Sequence, residues 1–184
     1  MLTLYILLGV AGLIILWLIF AYNGLVRLRQ QATEALSDID VQLKRRFDLI
    51  PNLVETVKGY MGHERQTLES VTRARTQFMA ARSPQEQAAA DNLLTNTLKT
   101  LFAVSENYPD LKANANFLDL QRELADTENK IQSARRFYNA NVRDLNIRIE
   151  SFPTNLIAGP FGFRRMEFFE AEAAGERQPV AVRF

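Results

Sequence analysis

The sequence predicts an all-α protein: an amino-terminal transmembrane helix, then an elongated antiparallel up-and-down four-helix bundle, then an irregular carboxy-terminal tail. Three observations predict it. No charged side chain occurs from Met1 to Val26, and Leu2 to Tyr22 is apolar apart from Thr3, Gly9 and Gly12. From residue 25 to 152 apolar residues recur in steps of three and four, the spacing of helices with one buried face. Pro51, Pro84, Pro109 and Pro153 punctuate that stretch into four helical segments. The expected organisation is an anchor over 1–22, a bundle over 23–152 and a tail over 153–184.

The anchor has the roughly 20 apolar residues that a hydrocarbon core of about 30 Å requires. A buried core helix is the competing reading, but a small soluble domain could scarcely cover a helix that is apolar on every side. A cleaved secretory signal fits less well, because no Lys or Arg precedes the apolar run and Ile19 stands where a small residue belongs. Leu2, Tyr5, Trp17 and Tyr22 are the anchor residues singled out. The two tyrosines stand near its ends, where amphipathic rings favour the headgroup zone. Arg27 and Arg29 follow the span at once, which by the positive-inside rule places the long carboxy-terminal part in the cytoplasm. A periplasmic domain is the alternative, since long domains translocate largely regardless of charge.

The first soluble helix carries Leu25, Leu28, Ala32, Leu36, Ile39, Leu43, Phe47 and Ile50 on one side and is expected to continue the membrane helix. Pro51 lacks an N–H and pushes Ile50 away from helical geometry, so a turn is expected at 48–52 in preference to a kink. A second helix then runs from about Pro51 to Ala81, weakened at Gly59 and Gly62. Ser83-Pro84-Gln85-Glu86 combines an N-cap serine, a first-turn proline and a capping-box glutamate, so a helix starts at Pro84. It ends near Asn107, ahead of Pro109. The last helix begins at 114–116, keeps its apolar spacing through Phe117, Leu124, Ile131, Tyr138, Val142 and Ile149, and stops before Pro153. It is rich in amides, which lower helix propensity and are expected to make interhelical hydrogen bonds, above all at Asn129 and Asn139.

Beyond Pro153 the helical period is lost. Phe152, Phe161, Phe163, Phe168, Phe169 and Phe184 are half of the chain's 12 phenylalanines. A tail this apolar is expected to pack, on its own bundle in preference to a neighbouring subunit. The closing piece 179–184 reads as strand-like, able to pair with another copy or to remain disordered.

Chemistry is sparse. With 22 Lys+Arg against 21 Asp+Glu there is no global field to gather nucleic acid, and none is expected as a partner. The absence of cysteine excludes disulfides, thiolate nucleophiles and Cys-type zinc sites. His63-Glu64 opens a zinc-protease motif that Thr67 leaves without its second histidine. A carboxylate-bridged di-metal bundle needs two histidines where the chain has one, and Asp38 and Asp40 point about 200° apart on a helix. No catalytic residue, metal or cofactor is expected. The best electrostatic candidate is the run Lys44, Arg45, Arg46, either as a partner surface or as a solvated face paired with Asp40 and Asp48. Phe161, Phe163, Phe168 and Phe169 are the other candidate partner-binding residues.

Ordered motifs run the length of the chain: Tyr22-Asn23-Gly24-Leu25-Val26 after the anchor, the block Ile39 to Val54, Lys58-Gly59-Tyr60 and Tyr108-Pro-Asp-Leu-Lys-Ala-Asn114. Thr127-Glu-Asn129, Ala134 to Asn139, Phe152-Pro153 and Phe168-Phe-Glu170 follow. In these the chain closely resembles the LemA family from Tyr22 to Glu170. The resemblance implies a bacterial membrane protein with an amino-terminal anchor and a four-helix domain, and carries over no catalytic residue. The expected function is a non-enzymatic, membrane-tethered scaffold that self-associates, up to rings or cage-like assemblies. An adaptor docking a membrane protease or signalling partner, and a carboxylate-only hydrolase, are the competing readings.

Overall fold

The computed structural model describes residues 1–62 and 64–169, and every regular element among them is helical. The strand-like piece at 179–184 and His63 lie outside the described residues. The elements are α1 (Leu2–Lys58), α2 (Arg65–Ala80), α3 (Pro84–Ser105), α4 (Pro109–Lys112), α5 (Ala115–Glu150) and α6 (Asn155–Ala158).

α1 continues from the apolar segment into the polar one without a break, as the weak Asn23-Gly24 pair allows. The turn expected at 48–52 is absent, because α1 passes through Pro51 and ends only at Lys58. The prolyl ring lies on the exposed side, while Ile50, Leu53, Val54 and Val57 around it are all buried in one core. Burial of four such side chains, at about 1.5–3 kcal/mol each, outweighs the roughly 3 kcal/mol that an interior proline costs. The chain instead reverses after Lys58, around Gly59 and Gly62, so α2 starts 14 residues later than the proline rule placed it. Pro51→Ala is accordingly expected to stabilise the protein, by up to about 3 kcal/mol, since it restores a backbone donor inside a helix that already exists. A raised thermal midpoint of the detergent-solubilised protein checks this, and a lowered one would mean that the proline geometry is required.

α3 begins as its sequence predicts. Ser83 Oγ accepts from the Glu86 N–H at 3.2 Å, and Glu86 Oε2 accepts from the N–H groups of Ser83 and Arg82 at 3.3 and 2.7 Å. α3 stops at Ser105, and Pro109 opens the single turn of α4. Asn114 caps α5, its Oδ1 accepting from the Phe117 N–H at 3.1 Å while its amide donates to the Tyr60 hydroxyl at 2.9 Å.

The chain divides into two compact units. One comprises 1–37 and 136–168; the other takes in 38–135 and Phe169. The core of the second is assembled from α1 (Ile50, Leu53, Val57), α2 (Leu68, Val71), α3 (Leu94, Leu98, Leu101), α4 (Leu111) and α5 (Phe117, Leu124). In the first, Leu25 of α1 and Leu145 of α5 close on Ala158 and Phe163. The segment after Pro153 is thus not wholly irregular. α6 forms one helical turn that turns Ile157 and Ala158 inward, and residues 163–169 follow it without helical structure.

Candidate functional site

Within the 38–135 unit the core contains charge. Arg46 of α1, Asp91 of α3 and Arg135 of α5 are 3%, 1% and 2% exposed. Arg46 Nη1 reaches Asp91 Oδ1 at 2.8 Å and Glu128 Oε2 at 2.7 Å, and Arg135 Nη2 reaches Asp91 Oδ2 at 2.6 Å. Arg135 also donates to Asn92 Oδ1 at 3.1 Å, and Gln132 donates to Glu128 Oε1 at 3.0 Å. Local sequence explains the placement. Arg46 stands three residues after Leu43 and four before Ile50, so it falls on the buried stripe of α1; Arg135, four residues after Ile131 and three before Tyr138, falls likewise on that of α5. Two guanidiniums face two carboxylates, and the cluster is neutral. The Phe169 ring, fully buried, lies 4.9 Å from the Arg135 guanidinium carbon and covers the cation.

Burial lifts the Asp91 carboxyl above its ordinary value of 3.8, while Arg46 and Arg135 pull it down and Glu128 adds to the rise. A raised folded pKa favours the neutral form. That contribution to stability is complete below the unfolded pKa and is lost as pH rises through the folded one. Ionised Asp91 is therefore held at a desolvation cost that the two guanidiniums offset only in part.

The 136–168 unit has a second polar fixture. Asn146 of α5, buried, accepts from the Met166 N–H and donates to the Met166 carbonyl, both at 2.9 Å, in the manner of a backbone partner. Tyr138 donates to the Glu167 carbonyl at 2.8 Å. At the other end of the segment, Tyr22 meets Phe161 and Phe163 edge-on, with ring centroids 5.2 and 5.6 Å apart.

The LemA family profile matches residues 35–184, most of the chain. The chain belongs to the LemA family. Among its relatives it is similar to magnetosome protein MamQ 2 of Paramagnetospirillum magneticum, 26% identical over 185 residues that cover 86% of this chain and 68% of the relative. The same identity and coverage hold for magnetosome protein MamQ of Magnetospirillum gryphiswaldense. Protein LemA of Metamycoplasma hominis is 28% identical over 153 residues, covering 81% of this chain and 68% of that protein. These names denote no enzymatic activity. This LemA-family chain is a membrane-associated helical protein whose α1 begins with the one helical stretch, among the described residues, long and apolar enough to cross a membrane.

The structure divides the residues that the sequence had grouped. Lys44 and Arg45 are exposed, whereas Arg46 is buried and paired across helices to Asp91 and Glu128 in place of Asp40 or Asp48. A surface made of all three is thereby corrected to two, because successive residues on a helix turn by about 100° and the third arrives on the core face. Lys44 borders a groove of about 200 Å³ lined by Leu43, Phe47, Phe78 and Met79. Phe163 and Phe169 are buried, while Phe161 and Phe168 remain exposed. Leu2 and Tyr5 are exposed, Trp17 is partly covered, and Tyr22 makes the ring contacts above. Asp91, Glu128 and Arg135 were not anticipated. A charge at an otherwise apolar helical position was the available signal. Of the amides expected to bond between helices, Asn129 is exposed, and Asn146, which was not singled out, is the one that bonds to the Met166 backbone.

For a cation the cluster is a poor host, since guanidiniums and the Gln132 amide already occupy its carboxylate oxygens. Among the described residues no three His, Asp or Glu side chains gather as metal ligands.

Proposed function

We propose that the protein is a single-pass inner-membrane protein, anchored by residues 2–22, whose helical body over 23–152 and tail over 153–184 form a non-enzymatic scaffold that self-associates. The observation that carries the reading is the start of α1, where Leu2, Leu7, Leu13 and Phe20 and nearly every other large side chain face outward on an apolar helix. Such a surface is costly in water and at home in hydrocarbon. Arg27 and Arg29, both exposed just past the span, favour a cytoplasmic body. Exposed Phe137 and Ile147 on α5 supply apolar surface for contact between copies, and lateral packing of such bodies extends naturally to rings or cages. The internal neutralisation of Arg46, Asp91, Glu128 and Arg135 supports a structural use of buried charge.

Size-exclusion chromatography with light scattering is expected to return a multiple of 21.0 kDa for the detergent-extracted protein, after subtraction of the micelle. A strict monomer at all concentrations would remove self-association. Protease added outside spheroplasts is expected to leave the body intact, and digestion would place it in the periplasm. A second reading, an adaptor for a membrane partner, is favoured by the groove beside Lys44. Met79→Glu in that groove would abolish co-purification of such a partner and leave the oligomer unchanged.

A further inference from the structure

We propose that the loop from Phe152 to Arg165 is a second membrane contact, which lies in the lipid headgroup region beside the anchor and presents Phe152, Leu156 and Phe161 to the acyl boundary. This rests on the reading of residues 2–22 as the membrane span. Three observations lead to it. The first is height. Tyr22 closes the apolar stretch, and its ring is 5.2 Å from Phe161 and 5.6 Å from Phe163, so the loop sits level with the last turn of the span. It is held there: Phe163 and Ala158 are buried against Leu25 and Leu145, with Ile149 and Met166 packed around them.

The second is the direction of the apolar side chains. The loop turns Ile157, Ala158 and Phe163 inward, yet leaves Phe152 79%, Leu156 64% and Phe161 59% exposed. A single exposed apolar residue needs no explanation, but three large ones within ten residues do, and one of them, Phe161, extends the apolar surface of the span through its contact with the exposed Tyr22 ring. That continuity selects lipid as the occupant. The third is charge. Arg164 and Arg165 follow the triad and are exposed, and Arg27 and Arg29 leave the span on the same unit. Arg165 pairs with Glu150 at 3.0 Å, with both groups solvated. Apolar side chains bordered by arginines are the composition of interfacial segments, which bury apolar residues about 5–10 Å into the headgroup boundary and draw their cations to anionic lipid.

The chain has no cysteine, so single labels are unambiguous. Full-length protein carrying Leu156→Cys, labelled with a bimane fluorophore, is reconstituted into phosphatidylcholine and phosphatidylglycerol vesicles. The host lipid is then replaced by one brominated near the headgroup end of its acyl chains. Phe152→Cys serves as a second site, and Ile14→Cys in the span reports the anchor. The expected result is that the labels at 152 and 156 lose roughly half or more of their emission, as shallow burial requires, and that the label at 14 is quenched by lipid brominated deeper in the chain. Quenching at 14 with water-exposed, unquenched labels at 152 and 156 would overturn the loop contact and leave the anchor standing. Blue-shifted but unquenched loop labels would likewise overturn it, because protein and not lipid would then cover the surface. Absence of quenching at all three would remove the anchor and the loop contact together.

Discussion

Replacing Asp91 with leucine is expected to destabilise the protein by about 3–5 kcal/mol, because it leaves the Arg46 and Arg135 guanidiniums in the core without the carboxylate that lies between them. For a chain of this length that corresponds to a fall in thermal midpoint of roughly 6–20 °C, read from helical circular dichroism of the detergent-solubilised protein. The desolvation that raises the Asp91 pKa is the same cost that makes an uncompensated arginine there so unfavourable. Removing all three charges should behave quite differently. Asp91→Leu combined with Arg46→Met and Arg135→Met fills the same space with apolar atoms, and Glu128, partly solvated, keeps Gln132. Recovery to within about 1 kcal/mol of the parent is the expected outcome, since a buried ion cluster and a well-packed apolar substitute are often equivalent. If the single substitution left the midpoint unmoved, the cluster would not be the closed unit that its distances describe.

Asn146→Ala is expected to loosen the segment before Phe169. The amide satisfies both polar groups of the Met166 backbone, and its loss leaves a donor and an acceptor to find water or go unpaired, at a combined cost of about 2 kcal/mol. The effect is local. Trypsin acting at Arg164 and Arg165, which are already exposed, needs only that this stretch lift from α5, so cleavage should accelerate by about 5–30-fold with a smaller change in global midpoint. Asn146→Asp retains the acceptor for the Met166 N–H and loses the donor to its carbonyl, and should fall between the two. Equal cleavage rates in all three proteins would show that Phe163, and not the amide, holds the segment in place.

Much of the fold was legible in the order of residues, and the reason differs between elements. The start of α3 is a local matter: Ser83, Pro84 and Glu86 determine it among themselves, and the structure follows them atom by atom. Pro51 looked equally local and was not. The proline rule concerns the energy of one turn, whereas Ile50, Leu53, Val54 and Val57 belong to a core whose other side chains lie on α2, α3, α4 and α5. No window of sequence around Pro51 contains those partners. The basic run failed in the same way. Lys44, Arg45 and Arg46 are one patch in the sequence and two environments in the protein, because Arg46 pairs with residues 45 and 82 positions away.

The amino-acid sequence by itself determined the helical class, the apolar first segment, its continuity into the charged part of α1, and the family to which the chain belongs. Each follows from short-range periodicity, from hydropathy over some twenty residues, or from ordered motifs. Only the tertiary structure decided which charges are buried, where α1 ends, and that Phe161 and Phe163 stand against Tyr22 at the end of the apolar span. These depend on contacts between residues far apart in the chain, whose energies a local pattern does not contain: a guanidinium enters a core only where another helix brings a carboxylate to meet it.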